Sequence, residues 1–218
     1  MTPATAQPND AENHGASGKS ATRTLTAGAG EEVPRLVVGM SGSSAPQLGM
    51  TFLEVARELP SFETHLVLSE GARRSIELEL RRDPLEVEKL ADVVYDWRDM
   101  AAAISSGSFP TMGMVVIPCS MRTLAAVATG NSDNLVSRAA DVTLKERRPL
   151  VLVTRETPLN YVHIKNMETV TLAGATVLPP VPAFYHYPET IEDLLRHISG
   201  KVLDQFGIKN STFRRWTS

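Results

Sequence analysis

In the stretch LKERRPLVLVTRETP, residues 144–158, Lys145, Arg147 and Arg148 precede a short apolar run, and Arg155 and Glu156 follow it directly. A buried strand accounts for the apolar middle but not for charge at both ends. The spacing of seven between Arg138 and Lys145 is two helical turns, so both project from nearly one face. Cations so grouped could face an anion, but from spacing alone a solvated helix face is the preferred reading. For Arg147 and Arg148 the plain reading is preferred: a solvated helix C-terminus, where cations complement the dipole. Two further stretches carry hydroxyls where a ligand could approach. GMSGSSAPQLG offers Gly42, Ser43 and Ser44, and it is either a ligand loop or a tight turn, because it lacks the G-x-G-x-x-G spacing. VVIPCSMRTLAAVATG runs from a strand into Ser120 and Thr123, a helix start suited to phosphate or to ordinary capping by Ser120.

These groups need elements to position them. Runs at 35–40, 64–69, 112–118, 149–154 and 175–179 are β-branched or aliphatic and read as buried strands. Between them lie segments of helical spacing, two of which end at Gly174 and Gly207. The alternation predicts an α/β fold: a doubly wound, Rossmann-like parallel sheet in three layers, one domain over residues 34–218. Such folds bind ligands beyond the carboxyl ends of their strands. That selects Gly42 to Ser44, Ser69, Cys119 to Thr123, and Arg155 to Thr157 as the places where chemistry belongs. After the last strand, PPVPAFYHYPE is a stiff loop bearing Phe184, Tyr185, His186 and Tyr187, fit to wall a pocket or to pack on the core.

Composition narrows the class. Residues 1–33 are rich in Ala, Thr, Gly and Ser and nearly devoid of large apolar side chains, which predicts a flexible tail. Its Gly18-Lys19-Ser20 is no phosphate loop, since Asn13 stands where the earlier glycine belongs. A formal net charge of −3 offers no global attraction for nucleic acid or an anionic membrane. The lone Cys119 excludes an intramolecular disulfide and reads as a small buried apolar residue. The five histidines, His14, His65, His163, His186 and His197, are too scattered to suggest a metal cluster. With no signal-peptide pattern and no spanning run, the expectation is a soluble cytoplasmic protein.

Taken together, GMSGSS, VVIPCSMRTLAAVATGNSDNLVSRAADVTLKERRPLVLVTRETPL, HIKNM and PPVPAFYHYPETIEDLL resemble the UbiX-like flavin prenyltransferase family, in order and at family spacing over residues 35–216. The resemblance implies transfer of a dimethylallyl group from dimethylallyl monophosphate to N5 and C6 of reduced FMN, without a metal. It further implies that the prenylated FMN serves a UbiD-like decarboxylase. It assigns FMN to Gly42, Ser43 and Ser44, to Ser69, to Ser120, Met121, Arg122 and Thr123, and to Arg155. Arg138, Lys145, Tyr185 and Lys201 would surround the donor phosphate, and Glu156 would shuttle a proton, with Ser44 and Glu79 near the flavin. On this reading Lys145 and Arg155 flank the strand because cations must gather around a departing phosphate. A homododecamer with its site between subunits is implied as well. Ala45 and Pro46 depart from the family's Gly and small residue, implying a stiffer loop, and Lys201 replaces a common arginine. Two other readings stay open. One is a flavin-dependent cysteine decarboxylase of the same fold, which needs a histidine that the early helix EGARRSIELEL lacks; the other is an FMN-binding accessory subunit without prenyl transfer.

Overall fold

Strands whose residues are apolar on both faces must be covered on both, and the arrangement of this chain follows from that requirement. The computed structural model describes residues 32–216. The expected tail, 1–33, lies outside the described residues except for Glu32 and Val33. Six parallel strands run β1 (Arg35–Met40), β2 (Glu63–Leu68), β3 (Val93–Tyr95), β4 (Gly113–Cys119), β5 (Leu150–Thr154) and β6 (Thr176–Val177), in the order β3-β2-β1-β4-β5-β6. This is the doubly wound sheet that the alternation predicts. Side chains alternate between two cores. Leu36, Val38, Met40, Val115, Ile117 and Val153 face α1 (Gln47–Arg57) and α7 (Ile191–Gln205). Val37, Val67, Met114, Val116 and Leu152 face α4 (Met121–Thr129), α5 (Leu135–Lys145) and α6 (Tyr161–Leu172). Two short helices, α2 (Glu70–Ser75) and α3 (Pro84–Glu88), join β2 to β3, and a π-helical turn over Ile76–Leu80 continues α2. Among the described residues no helix is long and apolar enough to cross a membrane.

The structure corrects the sequence reading at three points. Strand β3 was not expected; three residues at a sheet edge carry too little periodicity to register. Arg148 is no solvated cap, because its guanidinium donates to Phe109 O at 2.8 Å, Gly107 O at 2.7 Å and Thr111 Oγ1 at 3.2 Å, tying down the loop before β4. Arg147, exposed and at φ 55°, does end the helix in solvent. Third, His186 and His197 are not scattered: their rings stack with centroids 4.8 Å apart. No group of three or more metal-ligating side chains occurs among the described residues.

A polar chain runs beside the second core, with His65 its buried member. His65, 3% exposed, places Nδ1 2.8 Å from the Tyr95 hydroxyl and Nε2 2.9 Å from Glu63 Oε1, to which Arg35 Nε also donates at 3.0 Å. Burial holds the His65 pKa below the usual histidine value, against the partial opposition of Glu63. His197 is shifted the same way, by burial first and then by the charges of His186 and Lys201. In both cases the unfolded chain takes up a proton more readily than the folded one. Their contribution to stability is therefore complete above the unfolded histidine pKa of about 6.5 and is lost as pH falls below it. Thermal unfolding followed from pH 8 to pH 5 should show a level midpoint above about pH 7 and a fall below about pH 6.5, with a shallower fall in His65→Gln. A midpoint that rises on acidification would contradict this account.

Candidate functional site

The strand order reverses direction between β1 and β4, so the chain leaves these neighbouring strands toward opposite faces and opens a crevice at their carboxyl ends. One buried hydroxyl spans that crevice. Ser41 Oγ accepts from Ser120 N at 2.8 Å and donates to Pro118 O at 3.1 Å. Sequence reasoning singled out Gly42 to Ser44 and missed Ser41, which looks like another turn serine until the strand order places Ser120 beside it.

Four loops meet at this point. After β1, Ser43 Oγ donates to Arg155 O at 3.0 Å, which links that loop to the one after β5. Arg155 N in turn donates to Cys119 O at 3.1 Å, joining the loops after β5 and β4. After β2, Ser69 N donates to Met40 O at 3.0 Å, and Ser69 Oγ caps α2 by accepting from Ala72 N at 3.1 Å. Gly42 and Gly71 then pack backbone to backbone: a Cβ on Gly42 would lie 2.8 Å from Gly71 Cα. Gly71 is a second residue that sequence reasoning missed. Glu79, on the π-helical turn, accepts from both the Ser44 hydroxyl and Ala45 N at 3.0 Å. It holds Ala45 at φ 65°, in the left-handed region that a residue with a Cβ rarely enters.

At the start of α4 the plain reading of Ser120 holds: it caps the helix, accepting from Thr123 N at 3.2 Å and donating to Thr123 Oγ1 at 3.1 Å. Met121 packs into the core and Arg122 turns out to Asp133 at 3.3 Å, so neither side chain faces the crevice loops. Cys119 is fully buried, and desolvation pushes its thiol up to about 12, which leaves it inert as expected. Glu156 is exposed, its carboxylate accepting from Thr157 N at 3.0 Å. No ion pair joins it to Arg155 among the described residues. The glycine pair lets the loops after β1 and β2 close on one another, and Thr154 Oγ1, where β5 ends, is buried without a hydrogen-bond partner and so is a polar group left for a ligand at the crevice.

The other expected site residues lie elsewhere in one chain. Lys145 ends α5 before β5, whereas Arg155 and Glu156 follow β5, so the strand separates them by about 16 Å at about 3.3 Å per residue. The expectation that Lys145 and Arg155 flank one leaving group is thus not met within a single chain. Lys145 pairs with Glu146 and lines an open cavity of about 580 Å³ at the amino ends of β5 and β6, together with Arg147 and Arg148. Arg138, on the first turn of α5, donates to Ser105 O at 3.2 Å and to Asp141 at 2.9 Å. Tyr185 and Lys201 belong to a third group around α7, where the Tyr185 hydroxyl lies 3.1 Å from His197 Nε2. Helix α6, finally, mixes apolar and polar residues with no single apolar face, and its Tyr161, Val162, Ile164 and Leu172 are more than half exposed.

Replacing Ser41 by alanine removes the hydroxyl that spans the crevice and leaves the Ser120 N–H without its partner. Ser41→Ala should cost about 1–3 kcal/mol of stability, read by denaturant unfolding. An unchanged midpoint would show that the loops hold together without it.

Comparison with known proteins agrees with this geometry. Residues 26–203 match the model of the Flavoprotein family. The flavin prenyltransferase UbiX of Salmonella typhimurium is 50% identical over 184 residues, spanning 84% of this chain and 97% of that protein. A solved structure of AnUbiX in complex with FMN and dimethylallyl pyrophosphate superposes with a TM-score of 0.83 at 49% identity, covering 86% of this chain and 99% of that one. A dodecameric FMN-dependent Ubix-like decarboxylase from Escherichia coli O157:H7 gives a TM-score of 0.82 at 50% identity, covering 84% and 100%. With half its residues shared over nearly the whole length of such relatives, this chain belongs to the UbiX-like flavin prenyltransferase family.

Proposed function

We propose that this protein transfers a dimethylallyl group from dimethylallyl monophosphate to reduced FMN, and that the four-ring flavin so formed serves a UbiD-like decarboxylase. The observation that carries this reading is the meeting of Gly42, Ser43, Ser44, Ser69, Ser120, Glu79 and Arg155 at one crevice, in a chain half identical to a flavin prenyltransferase. Reduced FMN, when bound, supplies nucleophilic positions at N5 and C6. The loop amides and hydroxyls orient it, with the main chain of Met121 and Arg122 contributing where their side chains turn away. Ser44 and Glu79 hold the loop against it. Glu156, exposed beside Arg155 at the carboxyl end of β5, is placed to accept or return the proton released as the ring system forms.

The donor's phosphate needs cations and hydrogen-bond donors where charge develops, and Arg138, Lys145 and Lys201, with the Tyr185 hydroxyl, are the candidates. Lys145 stands about a strand length from Glu156 in one chain, so a site using both draws Lys145 from a second copy. The exposed apolar side chains of α6 supply a surface for such association. The assembly proposed is a homododecamer, the form named for the E. coli O157:H7 relative.

Mass spectrometry of the flavin after anaerobic incubation with FMN, reductant and either dimethylallyl monophosphate or pyrophosphate tests the activity and the choice of donor. Recovery of unmodified FMN alone would leave an FMN-binding accessory subunit. Glu156→Gln should retain FMN and donor yet slow the reaction by about 10² to 10⁴. A variant that makes the four-ring flavin at the parent rate would remove the proton-shuttle role. Co-expression of Lys145→Ala with Glu156→Gln chains should raise activity well above that of either variant alone, because some mixed sites receive an intact residue from each copy. Failure of mixed assemblies to exceed either variant would place the whole site in one chain.

A further inference from the structure

The group around Tyr185 is closed by the end of the described chain. His197, Lys201 and Asp204 stand four and three residues apart on α7 and therefore share one face. Residues 209–216 cross that face as a strap. Phe213 sets its ring edge-to-face on His197 with centroids 4.6 Å apart, and Trp216 meets the Tyr185 ring at 5.8 Å. Gly200 lets the strap lie flat, since a Cβ there would stand 2.6 Å from the Phe213 ring.

The strap is latched to one carboxylate. Arg215 Nη1 and Nη2 donate to the two oxygens of Asp204 at 2.9 and 2.7 Å, and Asn210 Nδ2 adds a bond at 3.2 Å. Lys201, one helical turn before Asp204, is left with its ammonium 3.8 Å from the same carboxylate, beyond hydrogen-bond reach. A guanidinium matches a carboxylate with two parallel bonds, whereas an ammonium engages it as a point charge. Arg215 thus occupies the only acidic partner that α7 offers Lys201 among the described ion pairs.

We propose that Arg215 is a positioning residue: by holding Asp204 in a two-bond grip it limits Lys201 to a long ion pair with that carboxylate, from which the phosphate of the prenyl donor can draw its ammonium. The inference rests on the function proposed above, in which Lys201 faces that phosphate. The pKa of Asp204 agrees with this division of labour, being held below the usual carboxylate value by Arg215 first and by Lys201 least. If Arg215 lets go, Asp204 captures Lys201, and the donor must then compete with a carboxylate on the same chain. Only the fraction of molecules with a free ammonium binds it, and the apparent affinity falls by that fraction.

A merely structural strap makes a different forecast. If Arg215 only pins residues 209–216 in place, Asp204→Asn breaks the same grip and should harm the protein as Arg215→Ala does. If Arg215 instead keeps Asp204 occupied, removing the acid removes the need for it. The test uses full-length, FMN-loaded parent, Arg215→Ala, Asp204→Asn and the double variant, each checked for flavin retention and thermal unfolding. Dimethylallyl monophosphate binding is measured by calorimetry and steady-state transfer by KM and kcat. Arg215→Ala should raise Kd and KM about tenfold with kcat within about twofold of the parent, and both Asp204→Asn and the double variant should return to within about twofold of the parent. A double variant as impaired as Arg215→Ala overturns the inference, as does an Asp204→Asn equally impaired. A parent that neither binds nor uses the donor instead overturns the function proposed above, and this inference with it.

Discussion

The loops of the candidate site depend on how β1 and β4 lie side by side with their connections departing to opposite faces, and on the single hydroxyl that spans their ends. Ser41 Oγ serves as acceptor for Ser120 N and donor to Pro118 O, so the first residues after both strands are fixed to one another. The hydroxyl is buried, where an unpaired amide is costly, and so the bond is specific as well as cohesive. From it the other links follow in order. Ser43 ties on the loop after β5, the Gly42–Gly71 contact sets the loop after β2 against the first, and Glu79 closes the ring at Ser44 and Ala45.

Strand length sets the second constraint. β5 is five residues long and buried throughout, so groups at its two ends cannot serve the same small ligand. The chain nevertheless carries cations at both ends. At the carboxyl end Arg155 and Glu156 border the crevice, and at the amino end Lys145 and Arg147 line an open cavity. On the function proposed above, each end alone is half of an anion-handling site. A second copy that brings the amino end of one β5 to the carboxyl end of another reconciles the two, and the exposed apolar residues of α6 give such a meeting a driving force.

Much of this was legible in the sequence because the physics behind it is local. RLVVGM and GMVVIPC are apolar on both faces, which only a sheet covered on both sides can bury, and Gly174 and Gly207, after α6 and α7, adopt the positive φ that ends helices. What was illegible depends on residues far apart in the chain. Arg148 resembles any helix-ending cation until the carbonyls of Gly107 and Phe109 are seen to meet it from about forty residues away. His186 and His197 stack only because the proline-rich loop folds back on α7. Ser41 cannot be told from Ser43 without knowing which strand lies beside β1.

The departure at Ala45 shows how the same site combines local strain with long-range support. A residue bearing a Cβ at φ 65° costs free energy that glycine would not, and such a conformation persists where its surroundings fix it. Here the fixing group is the Glu79 carboxylate, which takes the Ser44 hydroxyl and the Ala45 amide together. Glu79 reaches them from a π-helical turn, and that turn explains its aim. A wider turn shifts every following side chain around the axis relative to an α-helix, so Glu79 sits at an angle that a plain continuation of α2 would not give it. Arg81, at φ 53°, ends the turn immediately afterwards. Strain at Ala45 and the irregular turn beneath it are therefore one device: the carboxylate that fixes the left-handed residue also ties the loop after β1 to the segment that follows α2.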